Sequence, residues 1–138
     1  MATKIRNAMT KNPRTVQGSS TVVEAAQVMK IEDVGIVPIT DGDRLTGVVT
    51  DRDIAITVVA ERKDPGSTTV AEIASSNLVT IDPDQDLDEA LRLMAEHQVR
   101  RLPVCEEDGR LVGILAQADV ADHAKTKQTG EVVERISQ

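Results

Sequence analysis

A strand-turn-strand pattern occurs twice in this chain, and the repetition constrains the fold more than any single residue does. The first copy, Val34 to Asp53, reads VGIVPITDGDRLTGVVTDRD, and the second, Val99 to Asp119, reads VRRLPVCEEDGRLVGILAQAD. Pro38 and Pro103 stand 65 residues apart (103 − 38). Gly47 and Gly113, like Asp53 and Asp119, stand 66 apart, because the second turn carries one extra residue. A fixed internal period implies two copies of one supersecondary unit. A unit of about 60 residues buries its apolar face poorly alone, so two are expected to share a core.

Each copy carries the same local signals. Ile5 to Met9 reads as a short helical lead-in stopped by Pro13, and Arg14 to Val16 as an extended segment. Thr21 with Glu24 has the spacing of a capping box, and Val22, Ala25, Ala26 and Met29 follow helical periodicity, which predicts a helix with that face buried. Val34 to Thr40 and Leu45 to Thr50 flank Asp41-Gly42-Asp43, the signature of a hairpin. Thr50 then caps an expected helix from Asp51 to Glu61, and Asp64-Pro65-Gly66-Ser67 breaks the chain. The second copy repeats each step. Val70 to Ala74 is its lead-in and Leu78 to Ile81 its extended segment. Asp86 with Glu89 repeats the capping box, and Leu87, Ala90, Leu91 and Met94 the buried stripe. Strands Val99 to Cys105 and Leu111 to Leu115 flank Glu107-Asp108-Gly109, and the last helix runs from about Gln117 to Lys125. Glu131 to Ile136 is read as one more short helix. Pro38 and Pro103 are expected at strand ends or bulges.

Composition excludes several functions. Phe, Tyr and Trp are absent, so the core is purely aliphatic and no aromatic platform exists for stacking single-stranded nucleic acid. A net charge of −7 opposes binding to a phosphate backbone. No nucleic-acid or membrane role is expected, because no apolar run approaches a membrane span. The lone Cys105 makes no intrachain disulfide and lies in an apolar strand, which suits a buried inert thiol in a reducing, cytoplasmic setting. His97 and His123 with one cysteine give no metal-ligand spacing, so no metal site is expected. Neither a nucleophile–base arrangement nor a glycine-rich phosphate loop of the usual kinds appears, which argues against an enzyme.

The paired Val-Gly-Ile-Val-Pro and Val-Arg-Arg-Leu-Pro-Val strands, the Leu-Thr-Gly-Val-Val-Thr and Leu-Val-Gly-Ile-Leu-Ala strands and Thr-Asp-Arg-Asp at 50 to 53 resemble a tandem pair of CBS domains, a Bateman module, over about Ile5 to Ala124. The resemblance implies a mixed α/β (α+β) fold. Its two β-α-β-β-α repeats, residues 1–63 and 64–125, would be related by a pseudo-two-fold with their sheets packed face to face, followed by a tail at 126–138. It implies a stand-alone regulatory module, a homodimer paired through exposed helix faces, with an unknown protein target. It further implies an adenosine-containing ligand, AMP, ADP, ATP or S-adenosylmethionine, in a cleft between repeats.

On that resemblance the Asp of a Ser/Thr-x-x-Asp motif accepts the ribose hydroxyls, while the hydroxyl and the helix N-terminus meet phosphate. Thr50 and Asp53 match this motif. A basic pair at the start of the other repeat's middle strand reaches the phosphate, a role that falls on Arg100 and Arg101. Leu78, Val79 and Thr80 would line the adenine end. The opposite cleft would use Asp119 with Thr15, Val16, Gly35 and Ile36. It is read as degraded, because Ala116 replaces the Thr50 hydroxyl and Gly35-Ile36 replace the arginines. Against these readings stand plainer ones: Thr50 and Asp53 as a helix cap, Arg100 and Arg101 as solvated or paired with Glu96 and Glu106, and the whole chain as a ligand-free dimerisation protein.

Overall fold

The structure, a computed structural model, describes residues 3–75 and 78–123. A 3-10 turn at Ile5–Asn7 leads into the two-residue strand β1 (Thr10–Lys11). Helix α1 (Val22–Glu32) and the hairpin of β2 (Ile36–Asp41) and β3 (Arg44–Thr50) follow. Then come α2 (Asp51–Asp53), a π-helical run at Ile54–Val59, and the short α3 (Val70–Ile73). The second copy supplies α4 (Leu87–His97), β4 (Arg101–Cys105) and β5 (Leu111–Ala116), with residues 117–123 helical. The tail helix expected at Glu131 to Ile136 lies outside the described residues.

The helices start where their caps predict. The Thr21 hydroxyl accepts from Glu24 N–H at 3.2 Å, and the Asp86 carboxylate from Glu89 N–H at 3.0 Å. The reciprocal arms expected of capping boxes are not among the described bonds. The Glu89 carboxylate is turned instead to Arg92, which also bonds Glu96 at 2.6 Å. Both helices close on a left-handed residue, Asp33 (φ 55°) and Gln98 (φ 54°). The buried stripe differs from expectation. α1 buries Val22, Ala25 and Val28 and leaves Ala26 exposed, and Leu91, its counterpart 65 residues on, is also exposed. The buried arc is centred on Ala25 and Ala90, both fully buried, and i+1 from that centre already faces outward.

The hairpins carry the rest. β2 and β3 pair antiparallel around Gly42 (φ 65°), whose backbone a side chain would strain. A register shift falls between Ile39 and Thr40. Pro38 sits inside β2 opposite Val48, rather than at a strand end. There its carbonyl accepts from Val16 N–H at 3.0 Å, so the missing proline N–H lies within an otherwise bonded strand. Val16 bridges Ile39 in parallel, and Ile81 bridges Val104 in the same way, again 65 residues on.

Each lead-in packs with the other repeat's elements. Ile5, fully buried, donates to the Gln85 carbonyl at 2.9 Å, and β1 pairs with β5 in a sheet ordered β1-β5-β4. Reciprocally, Val70 donates to the Ser20 carbonyl at 2.8 Å, and Ser75 bridges Val48. The chain therefore groups into two compact units, each built from separate stretches of sequence. One comprises Asn12–Leu78 and Cys105–Leu111. The other comprises residues 3–11, Val79–Val104 and residues 112–123. Cys105–Leu111 belongs to the former because Leu45 donates to the Gly109 carbonyl at 3.1 Å, Leu111 to that of Asp43 at 2.9 Å, and Arg44 to that of Asp108 at 2.7 Å. Each unit has its own aliphatic core, around Val22, Val37, Val49 and Val70 in one and Ile5, Ala90, Leu102 and Leu115 in the other. No helix among the described residues is long and apolar enough to cross a membrane.

Candidate functional site

The end of β3 places Thr50 opposite Ile36, and Asp51 N–H donates to the Gly35 carbonyl at 3.0 Å. The strand thus turns into the helix against the start of β2. At this junction Thr50 and Asp53 form a reciprocal box. Asp53 N–H donates to Thr50 Oγ1 at 3.1 Å, and Thr50 N–H donates to Asp53 Oδ2 at 2.9 Å. Both residues are half-buried, and Asp53 Oδ1 takes no hydrogen bond among the described residues. The plain cap predicted for Thr50 is therefore present, and it holds one carboxylate oxygen in a fixed posture while the other remains available. Val16, buried, and Thr15, exposed, approach the same hairpin through Val16 N–H on the Pro38 carbonyl.

The second repeat keeps half of this arrangement. Ala116 N–H donates to Asp119 Oδ2 at 2.9 Å, so the carboxylate is oriented as in the first repeat although the hydroxyl is gone. The backbone supplies this arm, which is why a side-chain comparison missed it. Gln117 N–H donates to the Arg100 carbonyl at 2.7 Å, the counterpart of the Asp51–Gly35 bond.

Arg100 and Arg101 are both exposed, and neither makes an ion pair among the described residues. The acids considered as their partners are engaged elsewhere, Glu96 with Arg92 and Glu106 with Arg110. Leu78 and Val79 are half-buried and Thr80 exposed, at the join in the chain between the two compact units. Thr50, Asp53, Gly35, Ile36, Thr15, Val16 and Leu78 belong to one unit. Val79, Thr80, Arg100, Arg101 and Asp119 belong to the other.

Cys105 is buried, and desolvation pushes its thiol up to about 11, which keeps it protonated and unreactive at neutral pH. No group of three or more His, Cys, Asp or Glu that could hold a metal occurs among the described residues.

Comparison with known proteins agrees with the repeat. The CBS-domain family model matches twice, at residues 5–59 and 70–125. Hypoxic response protein 1 of Mycobacterium tuberculosis is 43% identical over 122 residues, 88% of this chain and 85% of that protein. Its crystal structure, which holds two coordinated zinc ions, superposes with a TM-score of 0.81 over 88% of this chain and 98% of that one. CBSX2 in complex with AMP is 26% identical, with a TM-score of 0.79 over 91% of this chain and 98% of that one. The CBS pair of protein MJ0100, solved with 5′-methylthioadenosine and S-adenosylmethionine, is also 26% identical, with a TM-score of 0.83 over 92% and 99%. The chain, two repeats of mixed α/β structure with antiparallel hairpins, belongs to the CBS-domain family.

Proposed function

We propose that this chain is a regulatory module, not an enzyme, that binds an adenine nucleotide of the AMP, ADP or ATP type. Asp53 accepts the ribose hydroxyls, and the Thr50 hydroxyl and Arg100-Arg101 meet phosphate. The observation that carries the reading is the Thr50–Asp53 box, which fixes the carboxylate and leaves Oδ1 without a partner among the described residues. It is supported by two related CBS pairs that hold adenosine compounds, one of them AMP. Two exposed guanidinium groups without carboxylate partners among the described residues favour a phosphate-bearing ligand over S-adenosylmethionine.

The test uses the chain's own optics. With no Tyr or Trp it absorbs almost nothing at 280 nm, so a 260 nm peak in the purified protein reports bound nucleotide. Isothermal titration with AMP then compares the wild type with Asp53→Ala. Saturable heat that this substitution abolishes, in a protein that stays folded by circular dichroism, is the expected result. Equal affinity in the two proteins would refute the ribose role, and no heat with any adenine nucleotide would refute the reading as a whole.

A specific observation also favours the homodimer. Val59 (70% exposed), Ile56 (49%) and Val23 (37%) are bare apolar side chains, and Val23 and Val59 line an open groove of about 600 Å³ between α1 and the π-helical run. We assign this face to a second copy of the chain. Sedimentation of Val59→Glu as a monomer beside a dimeric wild type is expected, and an unchanged dimer would refute the assignment.

A further inference from the structure

The helix that begins at Thr50 changes its winding after one turn. Asp51–Asp53 is α-helical, and Ile54–Val59 is π-helical. Ala60 N–H donates to the Ala55 carbonyl at 3.0 Å and Lys63 N–H to that of Val58 at 2.9 Å, each five residues back. A π turn holds one residue more than an α turn and is rarely longer than a single turn. The composition explains its tolerance here. Ile54, Ile56, Thr57, Val58 and Val59 are β-branched, and such residues lose side-chain freedom in an α-helix.

The two ends of the run are held differently. Its N-terminal end is pinned by the Thr50–Asp53 box and by the Asp51 bond to Gly35, and Asp53 is itself the N-cap of the π-helical run. Its far end carries the exposed Val59 and leads to Arg62 and Lys63. Ile54, Val58, Val59, Arg62 and Lys63 form one wall of the groove against α1. Returning the run to α-helix expels one residue from the ladder. With the N-terminal end fixed, all that follows turns by about 100° and advances about 1.5 Å. The run therefore has two discrete registers, which diverge directly after Asp53 and differ in the side chains that line the groove.

We propose that Ile54–Val59 is a register switch, so that an adenine nucleotide on Thr50 and Asp53 selects between the π and α windings and thereby remodels the groove wall. The proposal rests on the nucleotide reading above. The ligand acts because the posture of the Asp53 carboxylate is set by the backbone at the junction, so a ribose that needs one posture binds the two registers unequally.

The test is hydrogen exchange of the full chain with and without saturating AMP, together with two variants. Deleting Ile56, exposed in the run, removes the extra residue. Ile56→Ala with Val59→Ala favours α-helix at unchanged length, and it serves if the deletion does not fold. AMP is expected to change exchange of the peptide spanning 54–63 by about fivefold or more. The variants are expected to lose that change and to shift AMP affinity by about fivefold or more. Bound AMP with unchanged exchange at 54–63, or variants with wild-type affinity, overturns the switch while leaving the nucleotide site standing. Absence of AMP binding in the wild type overturns both.

Discussion

Thr50→Ala gives the first repeat the chemistry of the second, and its two effects are separable. The substitution removes the Asp53 N–H to Oγ1 bond at 3.1 Å and spares the Thr50 N–H to Oδ2 bond at 2.9 Å, which leaves the arrangement seen at Ala116 and Asp119. Loss of a Thr cap costs about 1 kcal/mol. For a chain of 138 residues that lowers Tm by roughly 3–4 °C, taking an unfolding entropy of about 2.1 cal/mol/K per residue. If the hydroxyl also meets phosphate, AMP loses a hydrogen bond to a charged group, about 1.5–3 kcal/mol or roughly 10- to 150-fold in affinity. Adenosine, which lacks the phosphate, keeps its affinity within about threefold. Thermal unfolding by circular dichroism at 222 nm reads the first effect, since the absence of Trp and Tyr leaves fluorescence uninformative. Calorimetric titration reads the second. A lowered Tm with unchanged AMP affinity would reduce Thr50 to a helix cap and refute the phosphate contact. The reciprocal change, Ala116→Thr, is expected to raise Tm by about 2–3 °C, because the Asp119 arm already awaits it.

Gly113→Ala is expected to cost about 2–3 kcal/mol, since the new Cβ would collide with the Met9 side chain and lie 2.8 Å from the Thr10 carbonyl oxygen of β1. Gly47→Ala, whose Cβ would lie 3.3 Å from the Ser75 carbonyl, should cost under about 1 kcal/mol, and equal Tm values for the two would sink the argument. Arg101→Ala should weaken AMP by about tenfold and adenosine hardly at all, and a uniform loss for both ligands would speak against a phosphate contact. Burial raises the Cys105 thiol in the folded chain, so its stabilising effect is full below pH 9 and is lost as pH rises through about 11. Cys105→Val should therefore flatten the fall of Tm between pH 9 and 11, and parallel curves would refute it.

Local signals were legible in the sequence, and long-range exchanges were not. The caps at Thr21, Thr50 and Asp86, the turn at Gly42 and both hairpins follow from spacing and residue type, because each depends on neighbours a few residues away. The outward turn of Ala26 and Leu91 escaped the periodicity because alanine and leucine suit either face, and tertiary packing chose. The π winding after Asp53 escaped it because a single residue inserted in a helical ladder leaves no periodic trace over six positions. The pairing of β1 with β5, and of Ser75 with Val48, could not be read from either strand alone. Its one mark is small: at Gly113 and Gly47, aligned in the two copies, the visiting segment lies close against the strand.

The exchange of lead-ins bears on how unequal repeats serve one function. Four helix starts are bonded to a segment of the other repeat, Ile5 to Gln85 and Leu87 to Thr3 in one unit, Val22 to Thr68 and Val70 to Ser20 in the other, whereas Asp51 and Gln117 bond within their own repeats. Neither repeat can be cut out along the sequence without exposing a residue such as Ile5 or Val70, both fully buried. A side chain at one helix start can then differ between the repeats without releasing the fold of either. The second repeat illustrates this: it has no hydroxyl at Ala116, has the backbone arm to Asp119, and carries in Arg100 and Arg101 the charge that Gly35 and Ile36 lack. Asp119→Ala should accordingly lower Tm by only a few degrees and leave AMP affinity within about threefold. A large loss of AMP binding would mean that the retained carboxylate is a working half of the ligand site.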